Sequence, residues 1–369
     1  MSLDPFFSAN IWTDTHLSDV HLTEDAAVYV RDPSTKLLPV TGLRWPGRQA
    51  VSDWLTACIG EDAVRRYLQR LDSKDECDFS LTHLGCRWRA NWFIAEPRRW
   101  KLVLRRISPT IPRLEDLGLP KSARDLINTS KGMVLVCGGT GQGKSTTLAA
   151  FIDHINTYRQ QHIITIEDPL EYIHENKHSL ITHREVGQHT GSFATSLRAA
   201  VRQDPDVIVV GELRDAESVS IALDASNTGH LVLATVHSNA AHLVIERLLS
   251  FFTDEKRLAV QKLMSAALRG VICQNILPSQ DRRARLLACE VLVNTPSVRP
   301  AIAEGKITQI PNQMQLGLKE GQLLLNAHLV ELVRTGRVTR EDALSVAYDV
   351  QELTKMLGSN GQPPGGFVR

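Results

Sequence analysis

No stretch of this sequence reaches the ~18 consecutive apolar residues that a membrane-spanning helix needs. The opening segment MSLDPFFSANIWTD also lacks the basic-then-apolar order of a secretory signal, so a cytosolic chain is expected. An excess of one charge is missing as well: 42 Lys and Arg stand against 41 Asp and Glu, a formal net charge of +1. General nucleic-acid binders carry a large basic surplus, and no nucleic-acid partner is expected here. The six cysteines (Cys58, Cys77, Cys86, Cys137, Cys273, Cys289) form no CxxC pair. This argues against a zinc ribbon or a disulfide framework. Cys137 and Cys273 lie in strongly apolar segments and read as small core residues in a reducing compartment.

What is present falls into blocks. With 369 residues the chain suits two domains. The first, 1–108, holds strand-like runs at 28–30, 88–94 and 101–107 and a helical stretch at 48–71. In that stretch Val51, Leu55, Ile59 and then Val64, Leu68, Leu71 recur at helical spacing, with a break at Gly60. This is a small α+β pattern. Pro109, Pro112 and Pro120 punctuate SPTIPRLEDLGLP, so 109–121 reads as a linker. From 122 to 357 the pattern is a second domain. Apolar runs at 133–137, 163–166, 207–210 and 231–235 alternate with amphipathic stretches such as Leu148, Phe151, Ile152 and Ile155. Strands apolar on both faces suit the middle of a parallel sheet covered by helices, which makes this an α/β domain. After Lys256 helical periodicity takes over through Leu357, and the Gly- and Pro-rich tail 358–369 reads as disordered.

The strand at 133–137 runs into Gly138-Gly-Thr-Gly-Gln-Gly-Lys-Ser145, which meets every fixed position of G-x-x-x-x-G-K-[ST]. Glycines let the backbone curl so that its N–H groups form an anion nest at a helix N-terminus. The expected ATP cradle comprises Gly138, Gly139, Thr140, Gly141, Gln142, Gly143, Lys144, Ser145 and Thr146. Lys144 would reach the β- and γ-phosphates, and the Ser145 hydroxyl would ligate Mg²⁺. Ligands of open α/β sheets bind beyond the carboxyl ends of the strands. Two further strands end in acids there: Glu167, Asp168 and Glu171 after 163–166, and Glu212 and Asp215 after 207–210. One acid can orient water and another can hold Mg²⁺; each can equally be a solvated loop acid or a helix cap. His230 and His237 flank the fourth run, as hydrogen-bonding residues or, for His237, as a γ-phosphate sensor. In the first domain, strand phase projects Arg87 and Arg89 away from Trp88 and Trp92, and Arg105 alternates with Val103 and Ile107. These arginines either face solvent or deliver guanidinium groups to a transferring phosphoryl group across a boundary.

Together LRRISPTIPRLEDLGLP, GGTGQGKSTTLAA, HIITIEDPLEYIH, LRAAVRQDPDVIVVGELRD, TGHLVLATVHSNAA and EVLVNTP resemble the PilT/PilU family of type IV pilus retraction ATPases, within the secretion-ATPase superfamily. The resemblance implies a PAS-like first domain, a RecA-like P-loop ATPase domain, and a homohexamer. It implies a motor for pilus retraction and twitching motility at the cytoplasmic face of the inner membrane, with a platform protein and a paralogous retraction ATPase as partners. It assigns Glu171 as catalytic glutamate, Glu212 as the Walker-B-like residue serving Mg²⁺, and His230 and His237 to a histidine box. Arg87, Arg89 and Arg105 become the arginines that approach nucleotide. Glu167, Asp168, Arg198, Arg202 and Arg214 would be further sensors. Two departures stand out: Gln142 occupies a position where the family has serine, and Ala303 replaces an arginine in AIAEGK. Conjugative or type IVB secretion ATPases, and a weakly hydrolysing accessory ring, are the alternatives.

Overall fold

The structure is a computed structural model, and its described residues are 9–14, 17–31, 36–95, 98–107 and 110–358. The chain forms two units. The first is Met1–Thr110 with Glu167–Ile173 and His183–Ser192; the second is Ile111–Ile166, His174–Thr182 and Phe193–Arg369.

In the first unit the order is β1 (Asp19–Thr23), β2 (Ala27–Arg31), β3 (Leu37–Arg44), α1 (Arg48–Ile59), α2 (Glu61–Asp72), β4 (Cys77–His83), β5 (Cys86–Ala95) and β6 (Arg99–Ile107). The strands form one antiparallel sheet in the order β3-β2-β1-β6-β5-β4. The alternation in β5 is realised: Trp88, Ala90 and Trp92 are fully buried, while Arg89 stays exposed. Trp12, Trp54, His83 and Trp88 meet in edge-on and tilted ring contacts at 5.2–5.5 Å between centroids, a geometry that favours aromatic pairs. The long helical stretch divides at Gly60, whose φ of 88° lies where side-chain-bearing residues are strained.

The second unit continues with α3 (Lys121–Asp125), β7 (Gly132–Cys137), α4 (Lys144–Tyr158), β8 (His162–Glu167), β9 (Leu180–Glu185), α5 (Phe193–Ala200), β10 (Val207–Val210), α6 (Ala216–Asn227), β11 (Leu231–Val236), α7 (Ala241–Ser250) and α8 (Asp254–Ala267). Then come β12 (Leu268–Pro278), β13 (Arg285–Val293), α9 (Arg299–Ala303), α10 (Ile310–Leu316), α11 (Leu325–Arg334), α12 (Arg340–Val346) and α13 (Val350–Gly358). Seven strands form a sheet in the order β13-β12-β7-β11-β10-β8-β9. Pairs β12–β7, β7–β11, β11–β10 and β10–β8 are parallel. Every residue of β7, β10 and β11 is buried, as expected of strands covered on both faces. The ends of β8 and β9, Glu167 and His183–Glu185, cluster with the first unit.

Three expectations need correction. The region after Lys256 is not helical throughout, because β12 and β13 form a long antiparallel pair. Gln274, Asn275 and Glu290 interrupt its apolar runs, and these polar side chains hide the strands from a periodicity count. The segment read as a linker is packed: Leu114 and Leu119 are buried in the second unit's core, and α3 begins at Lys121. Cys137 and Cys273 are register partners on β7 and β12 and are joined by a disulfide, rather than being separate core thiols. The expected disordered tail lies outside the described residues except for Gly358, which closes α13. No helix among the described residues is long and apolar enough to cross a membrane.

Candidate active site

Strand β7 ends at Cys137, and the glycine loop carries the chain from there into α4. Gly138 has a φ of 149°, and a Cβ there would lie 2.7 Å from the Gln274 carbonyl oxygen, so only glycine fits. Gly143 (φ 79°) caps the helix, and a Cβ on it would press to 3.1 Å on Ile276 Cδ1. The helix ladder starts with Thr147 N–H donating to Gly143 O at 3.0 Å. The amides one turn earlier are those a helix offers to an anion.

Strand β12 braces the loop. Beyond Cys273 it outruns its partner β7, leaving its inner edge beside the loop. The Gln142 side-chain oxygen accepts from Ile276 N–H at 2.5 Å and satisfies that edge. Buried Gln274 donates to Thr147 Oγ1 at 2.8 Å, fixing the first turn of α4. The Gln142 side chain is therefore a peg between loop and sheet, although the nest itself uses backbone.

Lys144, 9% exposed, donates to the carbonyls of Gly138 (2.9 Å) and Gly139 (2.8 Å). A phosphate oxygen would replace these neutral acceptors with a charge-assisted one. The ammonium also lies 3.3 Å from His237 Nδ1. An ammonium only donates, so Nδ1 accepts, and the ring's Nε2–H turns to Glu212 Oε2 at 3.6 Å. Glu212, 14% exposed, pairs with Arg214 at 2.8 Å. The Thr235 hydroxyl donates to Gly211 O, and Leu213 N–H donates to Thr235 O at 3.1 Å, so β11 holds the segment that presents Glu212. Lys144, His237, Glu212 and Arg214 thus form one line of contacts at the carboxyl end of the sheet.

The other candidates have partners of their own. Glu171, 29% exposed, lies in the first unit, 3.8 Å from Arg89. Arg105 pairs with Asp19 at 2.9 Å and is 72% exposed. Asp215 is a helix cap, accepting from Ser218 N–H at 2.8 Å at the start of α6.

Residues 68–343 match the family model described as type II/IV secretion system protein. The chain belongs to that family. Among its relatives is the twitching motility protein of Neisseria gonorrhoeae, 39% identical over 83% of this chain and 81% of that one. The type IV pilus retraction ATPase PilT of Pseudomonas aeruginosa is 39% identical over 74% and 80%. A crystal structure of the pilus retraction motor PilT with bound ADP superposes with a TM-score of 0.83, at 37% identity over 94% and 97% of the two chains. The Legionella pneumophila ATPase DotB gives 0.80 at 26% identity over 91% and 93%. The secretion-family fold, an N-terminal domain followed by a RecA-like ATPase domain, is the fold of this chain.

Within that secretion-family fold several expected site residues have partners of their own. Arg87 is 16% exposed, donates through Nε to Leu170 O at 3.0 Å, and pairs with Glu185 at 3.3 Å. Burial lowers its pKa, opposed by the charges of Glu185 and Glu167. His230 lies at the amino end of β11, its ring on Ala225 O at 3.0 Å. The six residues of that strand, at ~3.3 Å each, put it roughly 20 Å from the phosphate end. Arg202 sits in the turn leading to the amino end of β10, again away from the loop, and Arg198 pairs with Glu217 of α6. Glu167 closes β8, and Asp168 follows it in the acidic loop of the first unit. The sequence reading missed Gln274, Glu185 and Glu290, all buried polar residues within strands. Their only signal is polarity at a position whose neighbours demand burial.

Proposed function

We propose that this chain is a motor of type IV pilus retraction, hydrolysing ATP as a homohexamer at the cytoplasmic face of the inner membrane. The line from Lys144 through His237 to Glu212, beside a glycine cradle that admits no Cβ at Gly138, carries the reading. Lys144 neutralises phosphate charge, and the loop amides hold the oxygens. The Ser145 hydroxyl, in the first turn of α4, and the Glu212 carboxylate, which sits beside His237, are the oxygen donors that would hold Mg²⁺. When bound, Mg²⁺ offsets triphosphate charge. Glu171 orients and deprotonates the attacking water. Exposed Arg89 and Arg105 can stabilise the charge that develops on a neighbouring protomer's phosphoryl group. The relatives named for twitching motility and retraction say which machine the ATPase serves; a membrane platform protein and a paralogous ATPase are the proposed partners.

Glu171→Gln is expected to bind ATP normally and lose at least ~10²-fold of phosphate release by the purified ring. Cells lacking the protein are expected to be hyperpiliated and non-motile. Bald cells would point to assembly or secretion instead, and the likeness to DotB makes a secretion ATPase the second reading.

A further inference from the structure

We propose that Glu185 is a positioning residue for catalysis, holding the acidic loop so that Glu171 meets its water in a fixed orientation. This rests on the reading of Glu171 given above.

Glu185 is 1% exposed, yet its carboxylate is saturated by donors from three directions. Oε1 accepts from Ser80 N–H at 3.0 Å and from Gln188 Nε2 at 2.6 Å. Oε2 accepts from the Ser80 hydroxyl, from Arg87 Nη2 at 3.3 Å and from Leu170 N–H at 3.3 Å. Leu170 directly precedes Glu171, and Arg87 grips the same residue from the other side through its carbonyl. The N–H and the C=O of Leu170, which belong to two successive peptide groups, are therefore both held by one buried ion pair. Gln188 also donates to Ser80 O at 3.0 Å, and Arg66 donates to Gly187 O at 3.0 Å, so 183–192 is itself fastened to β4 and α2. A buried carboxylate with five donors tolerates no neutral isostere. Glutamine in either orientation turns an NH₂ group toward donors and leaves the Arg87 charge unbalanced.

The network touches only the first unit, whereas the glycine cradle belongs to the second. Disturbing it should impair the water step and spare nucleotide affinity. In the full-length hexamer, Glu185→Gln is expected to lower kcat roughly 10²-fold, the scale of an ångström's misplacement, with KM for ATP and nucleotide affinity within about twofold. Combined with Glu171→Gln it should cost nothing more, because both remove the same contribution. A loss that multiplies with Glu171→Gln, or a change in KM alone, would show a merely structural role and overturn the proposal. So would wild-type turnover in Glu185→Gln while Glu171→Gln is inactive. Wild-type turnover in Glu171→Gln would overturn the underlying assignment itself. If Glu185→Gln does not fold, Arg87→Lys, which keeps the charge but cannot reach Leu170 O and Glu185 with separate fixed donors, carries the same expectation: reduced kcat at unchanged KM supports the clamp, and unchanged kcat refutes it.

Discussion

Gln142 occupies a loop position whose side chain the anion nest does not need, and it faces away from the nest toward Ile276. Its amide oxygen satisfies a strand N–H that has lost its sheet partner, so removal affects the loop's conformational freedom and not the chemistry. A neutral hydrogen bond contributes about 1 kcal/mol, or roughly fivefold in an equilibrium. Gln142→Ala and Gln142→Ser, both too short to span the gap, are expected to weaken ATP binding about fivefold with kcat unchanged. Titration with a fluorescent nucleotide reads this directly, and a kcat loss without an affinity change would contradict it. The same scale explains why the partners of Arg87 were not legible. Strand phase placed it on the polar face of β5, as the structure does, but phase says nothing about a partner 98 positions away.

Among elements, the β12–β13 pair organises more than its own strands. Glu290 accepts from Ala241 N–H at 2.6 Å and from Leu325 N–H, so one buried carboxyl caps the start of both α7 and α11. Burial raises its pKa, with the two donors opposing. Beside it, Cys289 N–H donates to His328 Nδ1 at 3.0 Å, and burial lowers that histidine's pKa from 6.5. The folded state prefers the neutral ring while the unfolded chain takes up a proton near 6.5. This stability is therefore complete above that pH and is lost as pH falls below it. His21, His154 and His242 are depressed by burial in the same direction. The melting temperature is expected to drop from pH 7 to pH 5, and His328→Gln, which keeps an acceptor but does not titrate there, should flatten the drop. Equal slopes for both proteins would remove His328 from the account. The parallel strands were legible because β7, β10 and β11 are apolar on both faces. The hairpin was not, since its buried Gln274 and Glu290 read as surface until their capping partners are known.

At the scale of the whole molecule, the glycine loop and Glu212 could be read from the sequence because their neighbours in space are neighbours in the motif or on the next strand. The allegiance of Glu171 could not. Its segment lies between strands of the second unit in the sequence, but its fastenings, Ser80 and Arg87, are more than half a domain earlier. A fragment of residues 111–358 retains the cradle but lacks those fastenings. It is expected to bind ATP and to release phosphate at less than ~1% of the full-length rate; full turnover by the fragment would mean that Glu171 needs no such support. Drift at Ser80 or Arg87 is then drift in cycle speed, while drift around Gln142 is drift in grip. Two such settings, inherited on separate stretches of one gene, let a lineage retime its motor without loosening its hold on fuel.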